Sequence, residues 1–541
     1  MTFPRISVLF LSLAIPTLCS ALTPEQRESD IIQLSSVIRA GYGPLHYKKE
    51  KVGLNFEALV ESYRNQALRP QTNSEFYYSI VRMVAEFQDS HFSAWLPTTQ
   101  YADLSFSTDL VQGKVLIDQI DRKVLSETTF PFTRGDEILA LDGRPVMEIV
   151  DEIAHYTGNG YALTSRRKAA MSIPYRATRT LPLPKGSVSV TVRHGQSTIT
   201  DTVKLEWKIS GTALDEADDW TKPLNTVDAT SARRNYDSLS NQDFWADFND
   251  RKWEKSFRCS GNTRIDIPEG ATVIMKDPFV AYYYPSPKGN IGYLRIPHYS
   301  PQNDVTGADE TRLRFTQYEY AVSELEKNTV GLVIDQDHNC GGSVDYLHSV
   351  ASLFIDHSIA PMQFRLLANK QEYLDLKGWA DGTNHNTLEY QGVLKTMDSI
   401  LKSWKAGDFM TPPLAINGID LIHPHSTRYT KPIFMLIDEL SGSGGDAFPA
   451  LLQGNGRAKL IGTRTMGAGG HVTEQPALLY SQVKLRMTKS LFFRPDGVPV
   501  ENNGAAPDFP YEITYDDFVF GYRNYRDFYT QKILELLPSS L

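Results

Sequence analysis

The sequence predicts an α/β protein with a helical front end and a β-rich insertion, and three observations predict it. Residues 22–98 space their apolar side chains as helices do, residues 99–210 switch to short alternating strands, and residues 289–541 alternate apolar runs with helical stretches. Apolar strands separated by helices imply a sheet covered on both faces. A chain of 541 residues leaves room for about three to four domains. With 41% hydrophobic and 22% charged residues it is neither disordered nor fibrous. The net charge of -9, with no dense basic block, argues against a nucleic-acid partner.

The first segment reads as an export signal over residues 1–21: Arg5, an apolar run from Ile6 to Leu18, then small residues in Cys19-Ser20-Ala21. That run is shorter than the roughly 20 residues needed to span a bilayer. A retained anchor and a lipid-modified Cys19 are the alternatives, and Leu18 is a poor residue before a lipidated cysteine. Cleavage after Ala21 gives a soluble, exported product, periplasmic or secreted, with two cysteines left, Cys259 and Cys340. A disulfide between them is permitted there, and spacing alone does not say whether they meet.

Helices follow. Thr23-Pro24-Glu25-Gln26 has a capping residue with proline at the first helical position, and Glu75 to Ala85 repeats apolar residues at helical spacing. From about residue 100, runs such as Lys114 to Asp118 and Val188 to Val192 alternate between turn residues, as strands do. Residues 211–288 are polar, with Trp220, Trp245 and Trp253 scattered among loops and little periodicity. Self-cleavage within 211–285 is an expectation drawn from that weak patterning. The last segment starts with a strand from Ile291 to Ile296 and a helix around 311–327. The strand Gly331 to Asp335 and a helix from about 343 come next, then the strand Pro432 to Asp438 and a helix over about 444–453.

Chemistry concentrates where that last strand ends, at Asp438-Glu439-Leu440-Ser441-Gly442-Ser443-Gly444-Gly445-Asp446. Glycines permit a sharp turn that leaves Ser443 at a helix N-terminus, where unpaired N–H groups and the helix dipole favour an oxyanion. A serine N-cap in a glycine turn is the commoner use of such a stretch. A second strand end, Asp335 to Gly342, offers paired glycines whose N–H groups could join Gly444 in an oxyanion hole, from Gly341 or Gly342. An ordinary strand-to-helix loop is the alternative. His471 follows Ser443 too closely for the strands of an α/β-hydrolase, and Ser443 is not framed as Gly-x-Ser-x-Gly. His423 and His425 flank Pro424 without a ligand set of useful spacing, so no metal is expected.

Taken together, these segments resemble peptidase family S41, the tail-specific and tricorn-type serine proteases. The resemblance is carried by Asp89-Ser90-His91-Phe92, the PDZ-like Arg134-Gly135-Asp136-Glu137-Ile138 through Val146, the Asp335 to Gly342 loop and the Ser443 turn. Gly456 to Thr463 and Asp496 to Asp508 extend it. It implies a ClpP/crotonase-like catalytic core over 289–541, a PDZ-like domain over 99–210 and a helical region over 22–98. In tail-specific members a lysine after the serine is the base, and Ala468 stands in its place here. The tricorn-like branch takes a histidine from the front end, which makes His91 the implied base, next to Ser90. Glu501 matches that branch's glutamate and, through Ser90, would orient the ring. Asn417 to His425 and the PDZ-like insertion narrow the likeness to the branch of the chlamydial protease-like activity factor.

The implied activity is that of a serine endopeptidase without metal or organic cofactor, acting on protein or peptide substrates, with a homodimer among the assemblies open to it. A PDZ-like domain can take a peptide as an added strand, but no clear carboxylate-binding loop precedes Arg134, so a structural or gating role is equally open. Two rivals stand beside it. One is a ligand-binding protein of the same fold that has lost catalysis; the other is an esterase using the same serine.

Overall fold

The computed structural model describes residues 21–213, 238–240, 259–300, 310–416 and 418–537. The signal reading for residues 1–20 lies outside these, as do Trp220, Trp245 and Trp253 and most of the polar segment. Among the described residues no helix is long and apolar enough to cross a membrane.

Four helices open the chain: Pro24–Gly41, Leu45–Lys51, Phe56–Ala67 and Asn73–Ala85. The first begins as its sequence predicts, with Thr23 at the cap, Pro24 inside the start, and the Gln26 side chain returning to the Thr23 N–H. Their core does not close on itself. Ile31, Leu34, Phe76, Ile80 and Phe87 pack with Leu478, Val483, Leu485 and Met487 from the far end of the chain. The strand Ser93–Trp95 pairs antiparallel with Lys484–Thr488, Ser93 opposite Arg486. Two residues before that strand, His91 is thereby fixed against the C-terminal half.

The insertion is built on a sheet ordered Phe106–Val111, Lys114–Ile120, Glu137–Leu141, Ser187–Arg193, Thr200–Glu206, with Arg144–Pro145 as an added strand. It is not all β. Two helices, Val146–Ala154 and Ala162–Met171, pack on it, and Val150, Ile153, Ala169 and Ala170 enter its core. The first carries Val146, Ile149, Val150 and Ile153 on one buried face, a helical spacing hidden by β-branched residues.

The last segment holds a seven-stranded sheet in the order Thr272–Met275, Ala281–Tyr284, Ile291–Arg295, Gly331–Asp335, Ile433–Ile437, Ala458–Gly462, Phe509–Pro510. From Ile291–Arg295 onward the strands are parallel, with Leu332 opposite Ile433 and Asp335 opposite Leu436. The central strands are buried along their whole length, as a sheet with both faces covered requires. Helices Glu310–Asn328, Val344–Ala351 and Gly444–Gly454 connect them. This is the α/β core that the sequence predicts. Its adjacent parallel strands Gly331–Asp335 and Ile433–Ile437 aim the glycine loop and the Ser443 turn at the same edge of the sheet.

Candidate active site

Ser443 is the residue between the strand Ile433–Ile437 and the helix Gly444–Gly454, and its backbone sits at φ 63°, ψ -114°. That conformation is costly for a residue with a Cβ and persists only where surroundings hold it. Here Asp446 holds it, because its carboxylate accepts N–H bonds from Ser443 (2.8 Å), Gly467 (2.7 Å) and Ala468 (2.9 Å). Burial pushes the Asp446 carboxyl up to about 6, against the pull of those donors and the Thr465 hydroxyl. The Ser443 hydroxyl is buried and makes no hydrogen bond among the described residues, so the serine–histidine bond of a working triad is not formed in this state. Ala468, in the place of the tail-specific lysine, is fully buried.

His91 follows a helix end and is buried at 4% exposure. Its N–H donates to Asp89 Oδ1 at 2.8 Å, and Asp89 Oδ2 accepts from the Tyr42 hydroxyl at 2.8 Å. Its side chain lines a cavity of ≈ 390 Å³ together with Ser90, Trp95, Tyr156, Lys168 and Tyr175. Ser90 does not turn to Glu501: its hydroxyl donates to Asn159 Oδ1 at 2.7 Å.

Glu501 lies fully buried among groups the sequence does not point to. Lys48 Nζ donates to Glu501 Oε1, to Gln88 O (2.8 Å) and to Asn502 Oδ1 (2.6 Å). The Gly469 N–H donates to Glu501 Oε2 at 2.8 Å. Burial and the neighbouring Asp89 push the carboxyl up to about 8, and Lys48 pulls it back. The loop 466–469 thus touches Asp446 through Ala468 and Glu501 through Gly469, while Asp89 joins the Glu501 cluster to the His91 backbone. Ser443, through Asp446, and Glu501 are thus drawn to one loop, and His91 joins the Glu501 surroundings through Asp89.

The glycine loop and the Ser443 turn approach closely, since a Cβ on Gly444 would lie 3.0 Å from Gly341 Cα. Gly341 adopts φ +74° and directs its N–H to Asn339 Oδ1 at 2.8 Å, so in this state that donor is turned away from an oxyanion. Gly342, at φ +145°, abuts the Tyr299 carbonyl. The short strand Gly341–Ser343 is itself paired: Ser238–Ser240 lies antiparallel on it, with Leu239 opposite Gly342. Cys259 and Cys340 form a disulfide, Cα–Cα 5.3 Å, fastening the residue before this strand to the polar segment. Beneath the loop, Arg167 of the insertion pairs with Asp109, Asp438 and Glu439 and meets the His338 ring.

Asp446 had a local signal, as the acidic residue three places after a helix-capping serine. Lys48, Asp89 and Asn159 had none, because their role arises only when remote segments meet. Among the described residues no group of three or more His, Cys, Asp or Glu is placed to hold a metal. His423 bonds the Ser358 hydroxyl, and the His425 ring meets Phe315 edge-on.

The model of peptidase family S41 matches residues 290–511, and that of a PDZ domain matches residues 100–219. A protein of Chlamydia pneumoniae is 26% identical over 554 residues, covering 92% of this chain and 88% of that protein. The carboxy-terminal-processing protease of Bartonella bacilliformis is 25% identical over 240 residues, covering 43% of this chain and 42% of that enzyme. The crystal structure of mature CPAF superposes with a TM-score of 0.79 at 23% identity, over 95% of this chain and 98% of its own. That likeness shows a shared fold.

Proposed function

We propose, from the premise that this chain belongs to peptidase family S41 and is a serine-type peptidase, that it is an exported endopeptidase with Ser443 as nucleophile and His91 as general base. His91 takes the Ser443 proton as the hydroxyl attacks a peptide carbonyl, then returns it to the leaving amine. Backbone N–H groups of Gly444 and of the Gly341-Gly342 strand receive the negative charge on the carbonyl oxygen. Glu501 supports the imidazolium through the Asp89 and Gly469 surroundings that it shares with His91 and Ser443. Export rests on the Ile6 to Leu18 run and accords with the Cys259–Cys340 disulfide, a bond that persists in oxidising compartments.

The observation that carries this reading is the strand Ser238–Ser240 lying on Gly341–Ser343 beside the Ser443 turn. A peptide added in that place presents its carbonyls to the glycine N–H groups, whereas a simple ester has no use for a strand-pairing edge. The same pairing covers the edge, so full turnover requires Ser238–Ser240 to leave, and self-cleavage within 211–285 is one route.

Fluorophosphonate labelling with assays on casein and on a simple ester tests the reading. The wild type is expected to take the label and cut casein, and Ser443→Ala to do neither while keeping its melting temperature. Ester turnover with casein untouched would instead favour the esterase. A folded wild type that resists labelling, even after limited proteolysis in the polar segment, would favour the binding protein.

A further inference from the structure

Lys168 lies on the helix Ala162–Met171 of the insertion, far in sequence from Ser443, His91 and Glu501, yet it is buried at 3% exposure and lines the cavity beside His91. Its Nζ donates to Asn159 Oδ1 at 3.1 Å, the same oxygen that accepts the Ser90 hydroxyl at 2.7 Å. On its other side Nζ reaches Met466 Sδ at 3.7 Å, in the loop whose N–H groups hold Asp446 and Glu501. Asp446 acts on it as the nearby anion. The ammonium therefore links the surroundings of Ser90, through Asn159, to the loop beside the Ser443 turn, through Met466.

We propose that Lys168 is a positioning residue of the catalytic centre: it ties the His91 segment to the Ser443 turn, and its charge opposes protonation of the His91 imidazole. The inference rests on the reading of His91 as the base. A cation sharing a buried cavity with an imidazole destabilises the imidazolium, which keeps the base neutral to lower pH. Burial pulls the Lys168 ammonium down to about 7, with Asp446 opposing the fall, so the lysine changes charge in the range where such an enzyme works. The other charged or titratable groups around the cavity are His91, Tyr156, Tyr175, Arg179, Glu474, Lys484 and Arg486. Lys168 also contacts the loop beside the nucleophile.

The neighbouring residue strengthens the assignment. Arg167 reaches Asp438 and Glu439 at the start of the Ser443 turn and His338 in the glycine loop, while Lys168 reaches Met466 in the loop beside that turn. Consecutive residues of one helix in the inserted domain thus brace both halves of the site.

The test is the rate constant of fluorophosphonate labelling at Ser443, followed from about pH 5 to about pH 9 in the full chain. Lys168→Met should move the acid limb of that profile upward by roughly 0.5–1 unit, and Lys168→Arg, which keeps the charge, should leave it in place. Asn159→Asp puts a carboxylate beside the ammonium and should shift the limb the same way as Lys168→Met; it carries the test if the methionine variant does not fold. A folded Lys168→Met whose rate falls equally at every pH, or whose profile matches the wild type, overturns the proposal. His91→Ala separates the two readings. If it labels as fast as the wild type, the base assignment fails; if it is inert while Lys168→Met is unshifted, only the role of Lys168 fails.

Discussion

Glu501 and Lys48 meet with both side chains at 0% exposure, and removing one member of such a pair strands the other. Glu501→Gln leaves the Lys48 ammonium buried without its carboxylate and should cost about 3–5 kcal/mol above pH 8, where Glu501 is ionised. Adding Lys48→Met should recover a large part of that loss. Urea unfolding of both single variants and the double variant measures the coupling, and losses that simply add would show that the pair does not act as one unit. Lys48→Met also separates stability from chemistry, because it keeps the Glu501 side chain itself in place. Their pairing was not legible in the sequence, where the two residues stand 453 positions apart and Lys48 lies in a segment read only as helical. The turn at Ser443 was legible because its signal is local: an apolar strand, glycines, and a helix start within one short stretch. His91 is offered as the base only by the family resemblance, since a histidine at a helix end carries no pattern of its own.

At the scale of elements, the site depends on two strand ends held closer than side chains allow. A Cβ on Gly342 would fall 2.2 Å from the Tyr299 carbonyl carbon and 2.4 Å from its oxygen, at a φ of +145° that disfavours other residues. Gly342→Ala must therefore push the Gly341–Ser343 strand off Tyr299 and away from the Ser443 turn. Loss of one oxyanion donor slows acyl transfer by about 100- to 1,000-fold, and a drop of that size in casein cleavage is expected. Because Gly341–Ser343 lies outside the seven-stranded sheet, the melting temperature should fall far less than the rate; a rate within a few-fold of wild type would remove Gly342 from the oxyanion hole. The core strands were readable from their apolar runs, since burial on both faces erases alternation and leaves a plain hydrophobic signature. The insertion misled where Val146–Ala154 placed β-branched residues in a helix, and where Ala162–Met171 spent its buried positions on Arg167 and Lys168. Arg167 faces the carboxylates of Asp109, Asp438 and Glu439, and Lys168 faces Asn159 and Met466, so hydrophobic periodicity could not mark them as interior.

Across the whole molecule, buried titrating groups set how stability responds to pH, and they act in opposite directions. Burial pulls His348 and His471 down to about 4. A folded-state value below the ordinary 6.5 means that their contribution is complete above pH 6.5 and is lost as pH falls toward 4. Each shift corresponds to about 3 kcal/mol at most. Asp446 and Glu501, raised to about 6 and about 8, contribute most below the ordinary carboxylate range and lose that contribution as pH rises through those values. Between pH 4 and 6.5 the two sets offset each other, so removing one histidine should expose the balance. His348 is the cleaner choice: it packs into the core from the helix Val344–Ala351, its ring makes no hydrogen bond among the described residues, and burial alone shifts it. His471, by contrast, bonds the Ser490 hydroxyl at 2.8 Å. His348→Leu fills the site with an apolar side chain that cannot take a proton. Its melting temperature should therefore gain on the wild type steadily as pH is lowered from 6.5 to 4, whatever the offset between them at pH 8. Melting curves for the two proteins that stay parallel across that range would mean that His348 accepts its proton without unfolding, and that the core around it admits water.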